Sequence, residues 1–170
     1  AAVEAFERAA QANPAPSTLY RLGTLLAKSG EASRARSAFE RALALQPDLA
    51  EANNDLGALL AQQGDLPAAI ERFRAALAST PDYPDALNNL GYALLLSGNN
   101  DEARGLYEKA IALQPDFPEA LNNLGLLYGR GGDIGPELFA TAFLFFGESQ
   151  FVAVEMNVVG IHAEQKVGAR

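Results

Sequence analysis

The most regular polar signal in this 170-residue chain is a set of five asparagines. Asn54, Asn88-Asn89 and Asn122-Asn123 recur with a period of 34 residues. A side-chain amide donates through its NH2 and accepts through its carbonyl. A row of amides can therefore hold an extended peptide backbone, which offers the same two functions, without reading its side chains. Glu51, Asp55, Asp85 and Glu119 accompany the row. Their charge suits a protein or peptide partner carrying basic residues better than an acidic one. Arg21 and Lys28 form a small basic spot at one end, and Tyr92, Leu95, Leu96 and Leu126 an apolar patch at the other. Exposed apolar patches mark contacts.

Catalysis has little to draw on. The chain has no Cys and a single His, His162, which leaves no thiolate site and no histidine cluster for a metal. It contains no phosphate-binding loop ending in Lys-Ser or Lys-Thr, no Gly-x-Ser-x-Gly elbow and no His-Glu-x-x-His. Glu155 and His162 are seven residues apart and can share a helix face, but a lone pair of this kind reads as structural. The expectation is no catalytic residue, no metal ligand and no cofactor. Thirteen Lys and Arg against 21 Asp and Glu leave a formal charge of −8 and a pI near 4.6. Such a chain repels phosphate backbones, so no nucleic-acid partner is expected. No apolar run approaches the roughly 18 residues of a membrane-spanning helix, and no signal segment opens the chain. The compartment stays open; a soluble, cytoplasmic protein is the preferred expectation.

The elements that must position these residues are set by the period. Gly23, Gly57, Gly91 and Gly125 lie 34 residues apart, each after a Leu. A second glycine follows seven residues later, at Gly30, Gly64, Gly98 and Gly132. Phe39, Phe73 and Tyr107, then Ala42, Ala76 and Ala110, then Pro47, Pro81 and Pro115 keep the same period. Around the anchor glycines, apolar residues recur four and one before and three after, as in Leu87, Leu90 and Leu94. That spacing marks one face of a helix. Glycine within a helix costs about 1 kcal/mol relative to alanine, so its recurrence implies close approach of a neighbouring helix. The second glycines can end the first helix of each unit in a left-handed conformation, with the next residue capping the second helix. The prolines stop that second helix. Asp48, Asp82 and Asp116 are then expected to cap the following first helix, with Glu51, Asp85 and Glu119 three residues on.

These columns resemble the tetratricopeptide repeat, a 34-residue helix–turn–helix unit. The likeness is strong over residues 16–132, with units at 16–49, 50–83 and 84–117 and a degenerate unit at 118–146. Residues 1–14 read as the second helix of an earlier, truncated unit, which suggests a fragment of a longer protein. The resemblance implies an all-α fold: a right-handed superhelical solenoid of antiparallel helix hairpins, with first helices lining the concave side and a divergent C-terminal capping segment. It also implies a non-catalytic protein–protein interaction scaffold that binds an extended segment of a partner in its groove. Self-assembly, or service as the targeting arm of an enzyme whose catalytic domain lies outside this chain, are the alternatives.

On a helical wheel, the groove face is expected six, three and two residues before each anchor glycine and one, four and five after it. The groove candidates are Tyr20, Arg21, Asn54, Asp55, Asn88, Asn89, Tyr92, Asn122, Asn123 and Leu126. The asparagines resemble the ladder in the repeats of the O-linked N-acetylglucosamine transferase and those of kinesin light chains. The version of the repeat that clamps a terminal carboxylate needs Lys and Arg in these columns. Here they hold Tyr20, Thr24, Asp55, Asp85, Asn89, Glu119 and Asn123, which argues against such a clamp.

The period fails after Gly132. The stretch Leu138 to Phe146 is apolar on most sides and wants cover on both faces. Residues 147–170 form a C-terminal cap or tail that can supply it. Over Phe151–Val159 the valines and their alternation argue for a strand and the position argues for a helix, with helix preferred. Residues 138–159 are expected to cap the fourth unit and bury Phe139, Phe143 and Phe146. Homo-oligomer formation through this region is the competing expectation.

Overall fold

The computed structural model describes residues 2–131, which form α-helices joined by short turns: α1 (Ala2–Ala12), α2 (Pro16–Lys28), α3 (Ala32–Leu45), α4 (Ala50–Gln62), α5 (Leu66–Ser79), α6 (Pro84–Leu96), α7 (Asn100–Leu113) and α8 (Pro118–Gly131). The turn at Gly132, the apolar stretch with Phe139, Phe143 and Phe146, the C-terminal cap, and Glu155 and His162 lie outside the described residues.

The hairpins follow from two kinds of glycine. At the end of α2, Gly30 has φ +78°, the left-handed region where a side chain is disfavoured. The Glu31 N–H reaches back to the Leu26 carbonyl at 2.9 Å and the Gly30 N–H to Ala27 at 3.0 Å. This pair of bonds is the Schellman motif, which satisfies carbonyls left open at a helix end. Gly64 and Gly98 close α4 and α6 with the same bonds, Asp65 to Leu60 and Asn99 to Leu94. The turn then directs α3, α5 and α7 back along their first helices. Each returning helix carries an aromatic ring that settles on the anchor glycine. A Cβ at Gly23 would lie 2.6 Å from Phe39, one at Gly57 2.7 Å from Phe73, and one at Gly91 2.7 Å from Tyr107. The glycine is thus kept for the space it leaves.

Fully buried alanines on the second helices, Ala35, Ala42, Ala69, Ala76, Ala103 and Ala110, let the backbones approach closely. With Leu19, Leu22, Leu26, Leu56, Leu60, Leu87, Leu90 and Leu94, all of these alanines but Ala76 form one continuous core running through the stacked hairpins, while Ala76 packs with Ala50 and Ala86 in a smaller cluster. This is the all-helical solenoid expected of the columns. Between units, α3 packs on α4, α5 on α6 and α7 on α8, while α4, α6 and α8 lie beside one another. Exposed ion pairs join successive second helices, Arg34 to Glu7 and Arg74 to Glu102 (2.9 Å); pairs of this kind contribute about 0–1 kcal/mol each.

The capping expectations need correction. The N-cap of α4 is Leu49 and that of α6 is Tyr83, neither making a side-chain cap bond. Asp48 and Asp82 fall one residue too early, and Asp82 instead pairs with Lys109 at 3.0 Å. Without those caps Glu51 and Asp85 belong to no capping box; they sit in the first turn, where negative charge complements the helix dipole. At the second helices, Asp65 does cap α5, accepting from the Ala68 N–H at 3.2 Å. Glu31 and Asn99 occupy the same position without a side-chain capping bond, and Glu31 pairs with Arg34 instead.

Candidate binding groove

Successive residues of an α-helix are rotated by about 100°, which sorts the expected groove columns into two sets. Measured from the anchor glycine, the positions one and five after it and two and six before it fall at about 100–160°, away from the core. Those three before and four after it fall at about 40–60°, on the flank. The structure follows this division. Tyr92, Leu96 and Leu126, in the outer set, are 44%, 45% and 41% exposed. Leu95, on the flank, is only 5% exposed and does not belong to the apolar patch.

The same division decides the asparagines. Asn54 and Asn88 are flank residues, 5% and 7% exposed. Asn89 Nδ2 donates to Asn54 Oδ1 at 3.0 Å, and Asn123 Nδ2 donates to Asn88 Oδ1 at 2.9 Å. Tyr20 and Asp55 occupy the equivalent positions one unit earlier, and the Tyr20 hydroxyl donates to Asp55 Oδ2 at 3.1 Å. All three bonds span 35 residues and tie one first helix to the next. The amides form a lateral seam between repeats. Asn89 and Asn123 remain partly exposed and Asn122 is exposed at the end of the seam. Arg21 is exposed beside Tyr20, whose ring lies 6.0 Å from that of Phe39.

The electrostatics are negative across α4 and α6. Burial raises the Asp55 pKa; hydrogen bonds from Tyr20 and Asn54 oppose this, while Asp85 and Glu51 add to the rise. Burial also lifts the Tyr20 phenol, with Asp55 reinforcing it. Tyr83 is pushed far above its ordinary value by burial and then by Asp55 and Asp85. A cleft of about 230 Å³ lies between α2 and α4, lined by Thr24, Ala27, Lys28, Phe39, Asp55, Ala58, Leu59 and Gln62. A second, of about 280 Å³, lies between α1 and α2 against Phe6, Tyr20, Arg21, Thr24 and Leu25. Among the described residues no group of three or more His, Cys, Asp or Glu could hold a metal ion, and no helix is long and apolar enough to cross a membrane.

One buried polar residue escaped the periodic reading. Asn53 stands where the other units have Leu19, Leu87 and Leu121, and it is 0% exposed. Its Nδ2 donates to the Pro47 carbonyl at 2.9 Å and the Leu49 carbonyl at 3.3 Å, pinning the loop into α4, while its Oδ1 has no partner. The break in the leucine column was the signal that marked it.

Comparison with known proteins agrees with this architecture. The sequence matches a tetratricopeptide repeat family over residues 1–50, 20–84 and 54–116, and a second tetratricopeptide repeat family over 106–135. No curated protein matches the sequence at a significant level. A crystal structure of MamA is 28% identical, with a TM-score of 0.75 over 94% of this chain and 90% of that one. MamA from Desulfovibrio magneticus RS-1 (residues 41 to the end) is 22% identical, with a TM-score of 0.73 over 96% of this chain and 85% of that one. The first tetratricopeptide domain of Spaghetti (RPAP3), bound to the HSP90 peptide SRMEEVD, is 19% identical, with a TM-score of 0.67 over 69% of this chain and 94% of that one. These last two share the fold. The paired glycines, the rings seated on them and the matches across most of the chain lead to one conclusion: the chain belongs to the tetratricopeptide repeat family, whose repeats generally serve as non-catalytic protein-interaction scaffolds.

Proposed function

We propose that the chain holds an extended segment of a protein partner along the concave face formed by α2, α4, α6 and α8. The observation that carries this reading is the exposure of Tyr92, Leu96 and Leu126 on the face turned away from the core. Large apolar side chains that the fold does not bury favour a contact with another molecule. Asn89 and Asn123 stand on the same face, with Asn122 exposed on its flank, and offer a passing backbone hydrogen bonds. Asn54 and Asn88 contribute indirectly, by holding Asn89 and Asn123 in place. Arg21 and Tyr20 lie at the other end of the face, and the carboxylates of Glu51, Asp55, Asp85 and Glu119 favour a partner with basic residues. The HSP90 peptide bound by the Spaghetti domain, SRMEEVD, is acidic at its end; the carboxylates here favour the opposite charge.

Hydrogen–deuterium exchange on a complex with a captured partner tests the assignment. Protection is expected on α2, α4, α6 and α8. Protection confined to α3, α5 and α7 would place the partner on the convex side and refute it.

A further inference from the structure

We infer that the cleft between α2 and α4 is a specificity pocket for a Lys or Arg side chain of the partner, with Asp55 as its counter-charge. The inference rests on the groove reading and adds the chemistry of one subsite. Three observations carry it. The first is space. The cleft of about 230 Å³ has Ala27 and Ala58 as its accessible apolar lining, over a buried Phe39, and is kept open by Ala58. Two units further on, the columns of Thr24, Lys28 and Ala58 hold Tyr92, Leu96 and Leu126, whose bulk changes the same place from a cleft to an apolar patch. The two ends of the groove therefore take different side chains.

The second observation is an unneutralised charge. Asp55 lines the cleft and accepts hydrogen bonds from Tyr20 (3.1 Å) and Asn54 (3.3 Å). No ion pair among the described residues engages it. Burial and the neighbouring Asp85 and Glu51 raise its pKa, the condition that an incoming cation reverses. Lys28 also lines the cleft, but it is exposed and does not reach Asp55 within ion-pair distance. The third observation is the match between lining and ligand. Lys and Arg bury an aliphatic stem while their charged head seeks a partner. Ala27 and Ala58 suit the stem, and Asp55, with Gln62 nearby, suits the head.

A random dodecapeptide library displayed on phage, selected on the wild-type chain, tests the pocket. The recovered peptides are then titrated against Asp55→Asn, Ala58→Leu and Leu126→Ser, with far-UV circular dichroism confirming that each variant is folded. The expected peptides carry Lys or Arg at one fixed position. They lose tenfold or more in affinity on Asp55→Asn and on Ala58→Leu, and lose as much on the wild type when that residue is replaced by norleucine. Peptides that depend on Leu126 but carry no fixed cation and tolerate Ala58→Leu would overturn the pocket and leave the groove standing. Peptides indifferent to all three variants, or a library yielding no binder, would count against both.

Discussion

Replacing Gly91 by alanine and Gly105 by alanine should move stability in opposite directions, although both lie inside helices. Glycine in a helix interior is about 0.8–1.0 kcal/mol less favourable than alanine. At Gly105, in α7, nothing lies within 4 Å of the added Cβ, so a gain of about 0.5–1 kcal/mol is expected. At Gly91 the new Cβ would stand 2.7 Å from Tyr107 Cε1 and 3.1 Å from Cδ1 and Cζ. Tyr107 is 0% exposed, so the ring can retreat only by displacing the core around it. Overpacking of this kind costs about 1–3 kcal/mol. Subtracting the helix-propensity gain of about 1 kcal/mol leaves a net loss of about 0–2 kcal/mol for Gly91→Ala. Leucine at the same position should lose more. Thermal melts resolve the contrast, since 1 kcal/mol shifts Tm by about 2–4 °C in a chain of this size. A Gly91→Ala variant stabilised as much as Gly105→Ala would show that the ring does not press on the anchor glycine, and the packing argument for all the anchor positions would fail with it.

Other outcomes follow from single side chains. Tyr107 keeps a buried hydroxyl with no hydrogen-bond partner where the earlier units have Phe39 and Phe73; Tyr107→Phe should therefore raise stability by about 1–3 kcal/mol in urea unfolding, and a loss would reveal a partner for the hydroxyl. Asn89→Ala removes the seam bond and strands the Asn54 carbonyl, so it should cost about 1–3 kcal/mol, against almost nothing for the exposed Asn122→Ala. Because the Asp55 pKa is raised in the folded chain, its neutral carboxyl group is favoured by folding, and that contribution is lost as pH rises through the folded pKa. Asp55→Asn should accordingly be more stable than wild type at pH 7, with the difference shrinking below about pH 4, near the unfolded value of aspartate; an unchanging difference across that range in pH-dependent melts would refute the sign. Tyr92→Ser with Leu126→Ser should leave the melting midpoint within a few degrees of wild type while weakening partner binding, and equal binding would remove the apolar patch from the groove.

Helices, turns, anchor glycines and stacking were legible in the sequence because each depends on residue type at a fixed spacing. A glycine able to take φ +78° followed by a return helix, or an apolar residue every third and fourth position, states its role locally. The exposure of Glu51, Asp85, Tyr92 and Leu126 was legible for the same reason, since these positions point away from the core whatever packs beside them. What the tertiary structure decided lies on the flanks. A side chain about 60° from the anchor glycine meets either solvent or the next first helix, and only the placement of that helix settles which. For this reason Asn54 and Asn88 bond to Asn89 and Asn123 across the seam, and Leu95 is buried while Leu96 is exposed. Loop geometry was equally non-local: one residue of displacement turned Asp82 from an expected cap into the partner of Lys109. The cleft beside Asp55 belongs to the same class. Its lining is drawn from α2, α3 and α4, so it exists only once three helices that are separate in sequence have been brought together.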